Sequence, residues 1–154
     1  MSITNIESFH IIGITIKTTN ENGQSGKDIP ALWEKFMQQQ ILGQIPNKIS
    51  SDIYCIYTNY EGDHTMPYTT LLGCRVNNLK EIPKGMEGMT FPDANYQKFQ
   101  TKGDLTQGIV FQKWMNIWNM GEKLSRTFSA DFEVYGERAQ NPMDAEVDIF
   151  VGIA

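Results

Sequence analysis

The chain has 154 residues, of which 40% are hydrophobic and 20% charged; this excludes a disordered segment and suits a globular domain with one core. No apolar run approaches the roughly 18 residues of a membrane helix, and the N-terminus, MSITNIESFHIIGITIK, has no basic n-region or cleavage-like site. The net charge of −5 arises at one end, where residues 130–154 hold Asp131, Glu133, Glu137, Asp144, Glu146 and Asp148 against Arg138 alone, leaving 12 acids and 12 bases elsewhere.

Phe9 to Lys17, FHIIGITIK, is rich in β-branched residues and reads as a strand. The polar stretch TTNENGQSG follows as a loop. DIPALWEKFMQQQ reads as a helix with Asp28 at its N-cap, Leu32, Trp33, Phe36 and Met37 on one face, and Gly43 and Pro46 ending it. Asp52 to Tyr60, DIYCIYTNY, is an aromatic strand, and YTTLLGCRV is another after the turn EGDHTMP. NNLKEIPKGMEGMTFPDA, with two prolines and two glycines, reads as a connector.

The same order then recurs. Asn95 to Lys102, NYQKFQTK, is a strand that Gly103 breaks. Asp104 caps the helix LTQGIVFQKWMNIWNM, whose Ile109, Phe111, Trp114, Ile117 and Trp118 give it a broad aromatic face. DFEVYGE is a short strand, Asn141-Pro142 a turn, and EVDIFVGI a last strand of strict period two. The chain parses twice as strand–helix–strand–strand, in halves of about 1–80 and 90–154 with negligible identity between them. Two such halves give an α+β fold, a mostly antiparallel sheet with two helices, in a single domain over residues 1–154.

Several chemistries find no support. Cys55, Cys74, His10 and His64 are scattered and form no metal-ligand pattern, so neither a metal nor a cofactor is expected. Both cysteines fall in strands and are expected to be buried, reduced thiols of a cytoplasmic protein. His64, in a polar loop, is expected to be exposed. GxGxxG, P-loop, GxSxG and HExxH patterns are missing, and no basic stripe suits direct nucleic-acid binding.

The terminal hairpin is the most informative segment. Alternation puts Asp131, Glu133, Tyr135 and Glu137 on one face of their strand, with Phe132 and Val134 on the other. In the last strand Val147, Ile149, Val151 and Ile153 form the core side, opposite Glu146, Asp148 and Phe150. The expected carboxylate face thus combines acids with Tyr135 and Phe150. It is either a solvent face or a partly buried cleft. In a cleft, a carboxylate among rings attracts a lipophilic cation through charge, cation–π contact and apolar area, and its pKa rises on burial. Tyr54, Tyr57, Tyr60 and Tyr68 add aromatic surface, with Tyr57 pointing opposite to Tyr54 and Tyr60 on an ideal strand. Trp33, Trp114 and Trp118 either pack helix on sheet or line a pocket at that seam.

Taken in order, DIPALWEKF, IYCIYTNYEGD, YTTLLGCRV, WMNIW, DFEVYGERA and AEVDIFVGI resemble the gyrase-inhibitor-like small-molecule-binding domain, over nearly the whole chain. This is the effector-binding domain of AraC- and MerR-type multidrug-responsive activators, and the chain is most similar to the stand-alone integron-cassette effector-binding proteins. The resemblance implies two pseudo-symmetric units around a cleft for amphipathic, cationic aromatic molecules, serving transcriptional regulation or drug sequestration. It puts the central glutamate at Glu133, a second carboxylate at Asp148 where Glu is usual, and an aromatic at Phe150 where Tyr is usual. The matching tryptophans are Trp33 and, in the second helix, Trp114 or Trp118; with Tyr135 and Tyr57 from the strand reading, these residues complete the expected ligand-binding set. The DNA-binding domain of the regulators has no counterpart here, so a small molecule rather than DNA or a membrane is the expected partner. Two alternatives use the same residues. One is a hydrolase of reactive cyclic toxins with Glu133 as general base and Tyr135 as donor. The other is a topoisomerase-inhibitor-like protein whose acidic end mimics DNA phosphates.

Overall fold

Eight strands hydrogen-bond into one antiparallel sheet in the computed structural model, which describes residues 2–154. They are β1 (Ser2–Ile6), β2 (Phe9–Thr18), β3 (Ile53–Thr58), β4 (Tyr68–Val76), β5 (Glu87–Phe91), β6 (Ala94–Gly103), β7 (Arg126–Tyr135) and β8 (Ala145–Ile153). Helices α1 (Ser25–Gln38), α2 (Ile41–Gln44) and α3 (Ile109–Met120) join them, and the α+β class expected from the repeat holds.

The spatial order is β1-β6-β8-β7-β3-β4-β2-β5. Read outward from the central β7–β3 pair, the two sides carry counterpart strands in the same sequence. The outermost strands are exchanged: β1 pairs with β6 of the second half, and β5 pairs with β2 of the first. These two edge strands are the pair the sequence did not disclose. Each is only five residues long, and β5 lies inside the stretch read as a connector.

The two faces of the sheet are built differently. One is covered by helices. Leu32 and Phe36 of α1 pack on Ile12, Ile14, Leu72 and Cys74, while Trp114 and Ile117 of α3 pack on Phe99, Val147, Ile149 and Val151. These residues recur every three or four positions, so one stripe of each helix meets the sheet. The other face is packed by strand residues alone, with Phe9, Ile11, Tyr96 and Phe132 burying one another in the curl of the sheet. Gly13 and Gly73 face each other across β2 and β4, and a Cβ on either would lie 2.1 Å from a backbone oxygen of the opposite strand. Only glycine fits so close an approach.

Some element boundaries differ from the sequence reading. α1 begins at Ser25, so Asp28 is not its N-cap; its carboxylate instead accepts from Thr18 Oγ1 and Gln24 Nε2 within the first turn. Pro30, too, lies inside α1, at its sixth residue. The helix stops at Gln38 because Gln40 turns left-handed (φ 52°); Gly43 lies within α2 and Pro46 beyond it, so neither ends α1. Asp104 caps the 3-10 turn Leu105–Gln107, and α3 starts only after Gly108 (φ 70°). β7 begins at Arg126, five residues before the expected start, through a bulge against β8.

Candidate functional site

The β3–β7 ladder sets the site. Cys55 lies opposite Glu133, and both side chains point to the helix-covered face. Two residues further along each strand, Tyr57 and Tyr135 return to that face. The Tyr57 hydroxyl donates to Glu133 Oε2 at 2.6 Å and the Tyr135 hydroxyl to Oε1 at 2.6 Å. From α3, Trp114 Nε1 donates to Oε2 at 2.7 Å. Each tyrosine also meets a tryptophan edge-on: Trp114 stands over Tyr57 with centroids 5.6 Å apart, and Trp33 of α1 over Tyr135 at 4.8 Å. Trp33 packs against the cluster that holds Cys55, whose thiol donates to the Tyr57 oxygen at 3.5 Å. The result is a pseudo-symmetric box of two Tyr–Trp pairs around one glutamate and one cysteine.

Two carboxylates on β7 face the same side and are fully buried, yet they are held in opposite ways. Asp131 has a cation: Arg126 Nη2 lies 2.7 Å from Oδ2, which also accepts from the Tyr60 hydroxyl at 2.5 Å, while Oδ1 accepts the Gly152 amide at 2.8 Å. Among the described residues no basic group comes within ion-pair distance of Glu133; it has only the three neutral donors. Burial therefore raises its pKa above the ordinary glutamate value, and the bonds from Tyr135, Tyr57 and Trp114 only partly oppose this. Burial pushes the Tyr57 phenol well up, and Cys55 and Glu133 beside it act in the same direction. Tyr135 rises likewise, through burial and then Glu133. Both stay protonated donors.

A cleft of about 450 Å³, solvent at its mouth included, opens beside this box between α1 and α3. Tyr57, Trp114 and Trp118 line it, joined by Tyr60, Tyr68, His64, Phe111 and Arg126. Tyr60 reaches the cleft because β3 ends at Thr58 and Asn59 turns left-handed (φ 51°), which rotates Tyr60 onto the side of Tyr57 and away from Tyr54. His64 is half-buried rather than exposed: its ring stacks flat on Trp118, with centroids 5.2 Å apart and planes at 6°. Burial and the nearby Arg126 charge lower its pKa.

The expected residues thus separate into three groups. Tyr57, Trp114 and Trp118 line the cleft. Glu133, Tyr135 and Trp33 form the layer beneath it. Asp148 and Phe150 do not share a face with Glu133: the register sets Glu133 against Ile149, and Val134 against Asp148, so both lie on the opposite side of the sheet. There Asp148 is held by Gln100, Arg138 and Lys98. The acidic end is largely neutralised, since Asp131 meets Arg126, and Glu146 meets Arg138 and Lys102. Arg126 and His64 are among the lining residues that sequence reasoning missed. The bulge that places the first and the stack that buries the second have no sequence signature. Cys55 and Cys74 are buried and free, as expected. Among the described residues no cluster of His, Cys, Asp or Glu suits a metal ion, and no helix is long and apolar enough to cross a membrane.

Comparison with known proteins aligns the whole chain. The sequence profile of the Cass2 family, described as integron-associated effector binding protein, matches residues 2–153. YobU of Bacillus subtilis (strain 168), provisionally named a transcriptional regulator protein, is 28% identical over 153 residues, covering 98% of this chain and 96% of its own. The integron cassette protein from the mobile metagenome of Vibrio cholerae is similar in structure, with a TM-score of 0.77 at 24% identity, over 99% of this chain and 95% of its own. SAV2435 bound to tetraphenylphosphonium has a TM-score of 0.82 at 16% identity, over 99% and 93%.

Proposed function

The chain belongs to the family of integron-associated effector binding proteins, and on that premise we propose that it takes an aromatic, lipophilic cation into the cleft between α1 and α3, with Glu133 as the counter-charge. The observation that carries this reading is a buried glutamate with three neutral donors and, among the described residues, no basic partner, bonded to Tyr57 and Trp114 of an aromatic cleft. Such a carboxylate is costly to bury and lowers its energy when a cation arrives. At an effective dielectric of about 20, a cation roughly 7 Å from it gains about 2.4 kcal/mol, on the order of 50-fold in affinity. The rings of Tyr57, Trp114 and Trp118 add cation–π and apolar contact. Arg126 at the wall does not oppose this strongly, because Asp131 neutralises it at 2.7 Å. SAV2435, of the same fold, was solved with a cation of this class.

Sensing such an effector for transcriptional regulation, in the cytoplasm where Cys55 and Cys74 stay reduced, is the role we assign; the provisional name of YobU supports it. A binding role is favoured over hydrolysis because both Glu133 oxygens are already taken by phenol and indole donors, leaving a general base poorly placed to hold water. Calorimetric titration with tetraphenylphosphonium tests the reading. We expect saturable binding that weakens on the order of 50-fold in Glu133→Gln, the Coulomb contribution estimated above. Equal affinity in the two proteins would refute the assignment of Glu133.

A further inference from the structure

The face without helices holds a second cavity, of about 760 Å³ with the solvent at its mouth included, lined by Tyr54, Phe132, Val134 and Phe150 together with Arg75, Lys98 and Asp148. We infer that this cavity is a separate binding site for a planar aromatic carboxylate, with the carboxylate on Arg75 and the rings against the Tyr54–Phe132–Phe150 row.

The row is a stack drawn from three neighbouring strands. Tyr54 and Phe132 lie 5.7 Å apart with planes at 29°, and Phe132 and Phe150 4.9 Å apart at 23°. A cation stands at each end: Arg75 over Phe9 at 5.6 Å, and Lys98 over Phe150 at 5.8 Å. The two cations differ in what they already hold. Lys98 has Asp148 at 3.8 Å, and Asp148 is further engaged by Arg138 at 3.0 Å and Gln100 at 3.0 Å. Among the described residues Arg75 has no carboxylate within 4.0 Å; its charge faces Tyr54, and its Nε is buried without a partner. Arginine's planar fork suits a carboxylate in two-point contact, and its half-buried position makes that contact stronger than one in bulk water. The charge of this cavity is therefore opposite to that of the Glu133 cleft, and the two are separated by the thickness of β7, whose successive residues Phe132, Glu133 and Val134 face alternate sides.

The test is calorimetric titration with 2-naphthoate, repeated with its neutral amide. Saturable naphthoate binding is expected, with the amide and Arg75→Gln each weakening it about tenfold, the scale of a charged hydrogen-bonded pair. Saturating tetraphenylphosphonium and Glu133→Gln should leave naphthoate affinity unchanged, so failure here is distinct from failure of the cation site. Lys98→Glu, at a half-exposed position, provides a second variant if Arg75→Gln fails to fold; it should weaken naphthoate several-fold by reversing a charge at the rim. No saturable binding, competition between naphthoate and tetraphenylphosphonium, or affinity indifferent to both substitutions would each overturn the assignment.

Discussion

The two halves of the Tyr–Trp box match in position and differ in chemistry. On one side Trp114 bonds Glu133 and stands on Tyr57, and both rings border the cleft. On the other, Trp33 packs beside Cys55 and stands on Tyr135, and neither ring borders it. A carboxylate and a thiol thus occupy equivalent places in the repeat, and the cavity lies on the side whose indole serves the carboxylate. The repeat supplies the frame, and one side chain per half, Glu133 or Cys55, separates a charged, ligand-facing side from a neutral, packed one.

The sharpest way to break that division is to charge both sides. Cys55→Glu would set two buried carboxylates across the β3–β7 pair, and we expect urea midpoints at pH 8 to show a loss of more than about 3 kcal/mol, the scale of an uncompensated buried charge. An unaltered midpoint would mean the box is less dry than its burial implies.

Removing the indoles should separate packing from binding. Both Trp114→Ala and Trp33→Ala open a core void, costing roughly 3–5 kcal/mol at the buried Trp114 and less at the half-buried Trp33. Tetraphenylphosphonium affinity should fall at least about tenfold for the first and change less than about twofold for the second. Equal losses of affinity would erase the distinction between the sides.

Acidification gives the next effect. Glu133 titrates above its ordinary value of 4.5 because burial favours its neutral form. Its protonated state therefore stabilises the fold below the unfolded pKa, and this contribution is lost as pH rises through the folded pKa. Cation affinity runs the other way, weakening as pH falls through that raised pKa, with a midpoint above 4.5. A carboxyl-carbon NMR titration alongside binding would check both signs, and a midpoint at or below the ordinary value would contradict the dry environment. The smallest loss of stability should come from His64→Ala, which removes one stacking partner of Trp118, worth about 0.5–1.5 kcal/mol, and should weaken affinity by no more than about tenfold.

Period-two alternation was enough to place Glu133 and Tyr135 together, because both lie on one regular strand. It could not relate that strand to the next. Whether Asp148 joins Glu133 depends on pairing register, and a shift of one position sends a side chain through the sheet; here Ile149 takes the place that Asp148 and Phe150 were expected to share. Tyr60 illustrates a second blind spot, since a single left-handed residue, Asn59, reverses the side it faces. Arg126 illustrates a third, because the irregularity between it and Asp131 brings residues five apart in sequence into an ion pair. Helical stripes and strand runs were legible wherever one face is buried. The exchanged edge strands were not, because five-residue segments carry little pattern and gain their place from partners 74 to 96 residues away.

That exchange has a consequence for how the chain can come apart. Because β1 completes the second half and β5 the first, a fragment ending in the connector after β4 would retain a strand belonging to its missing sibling and expose an unpaired edge of its own. Neither half is a self-sufficient module; mixed together, the two fragments should complement one another, and the intact polypeptide should melt in a single cooperative step.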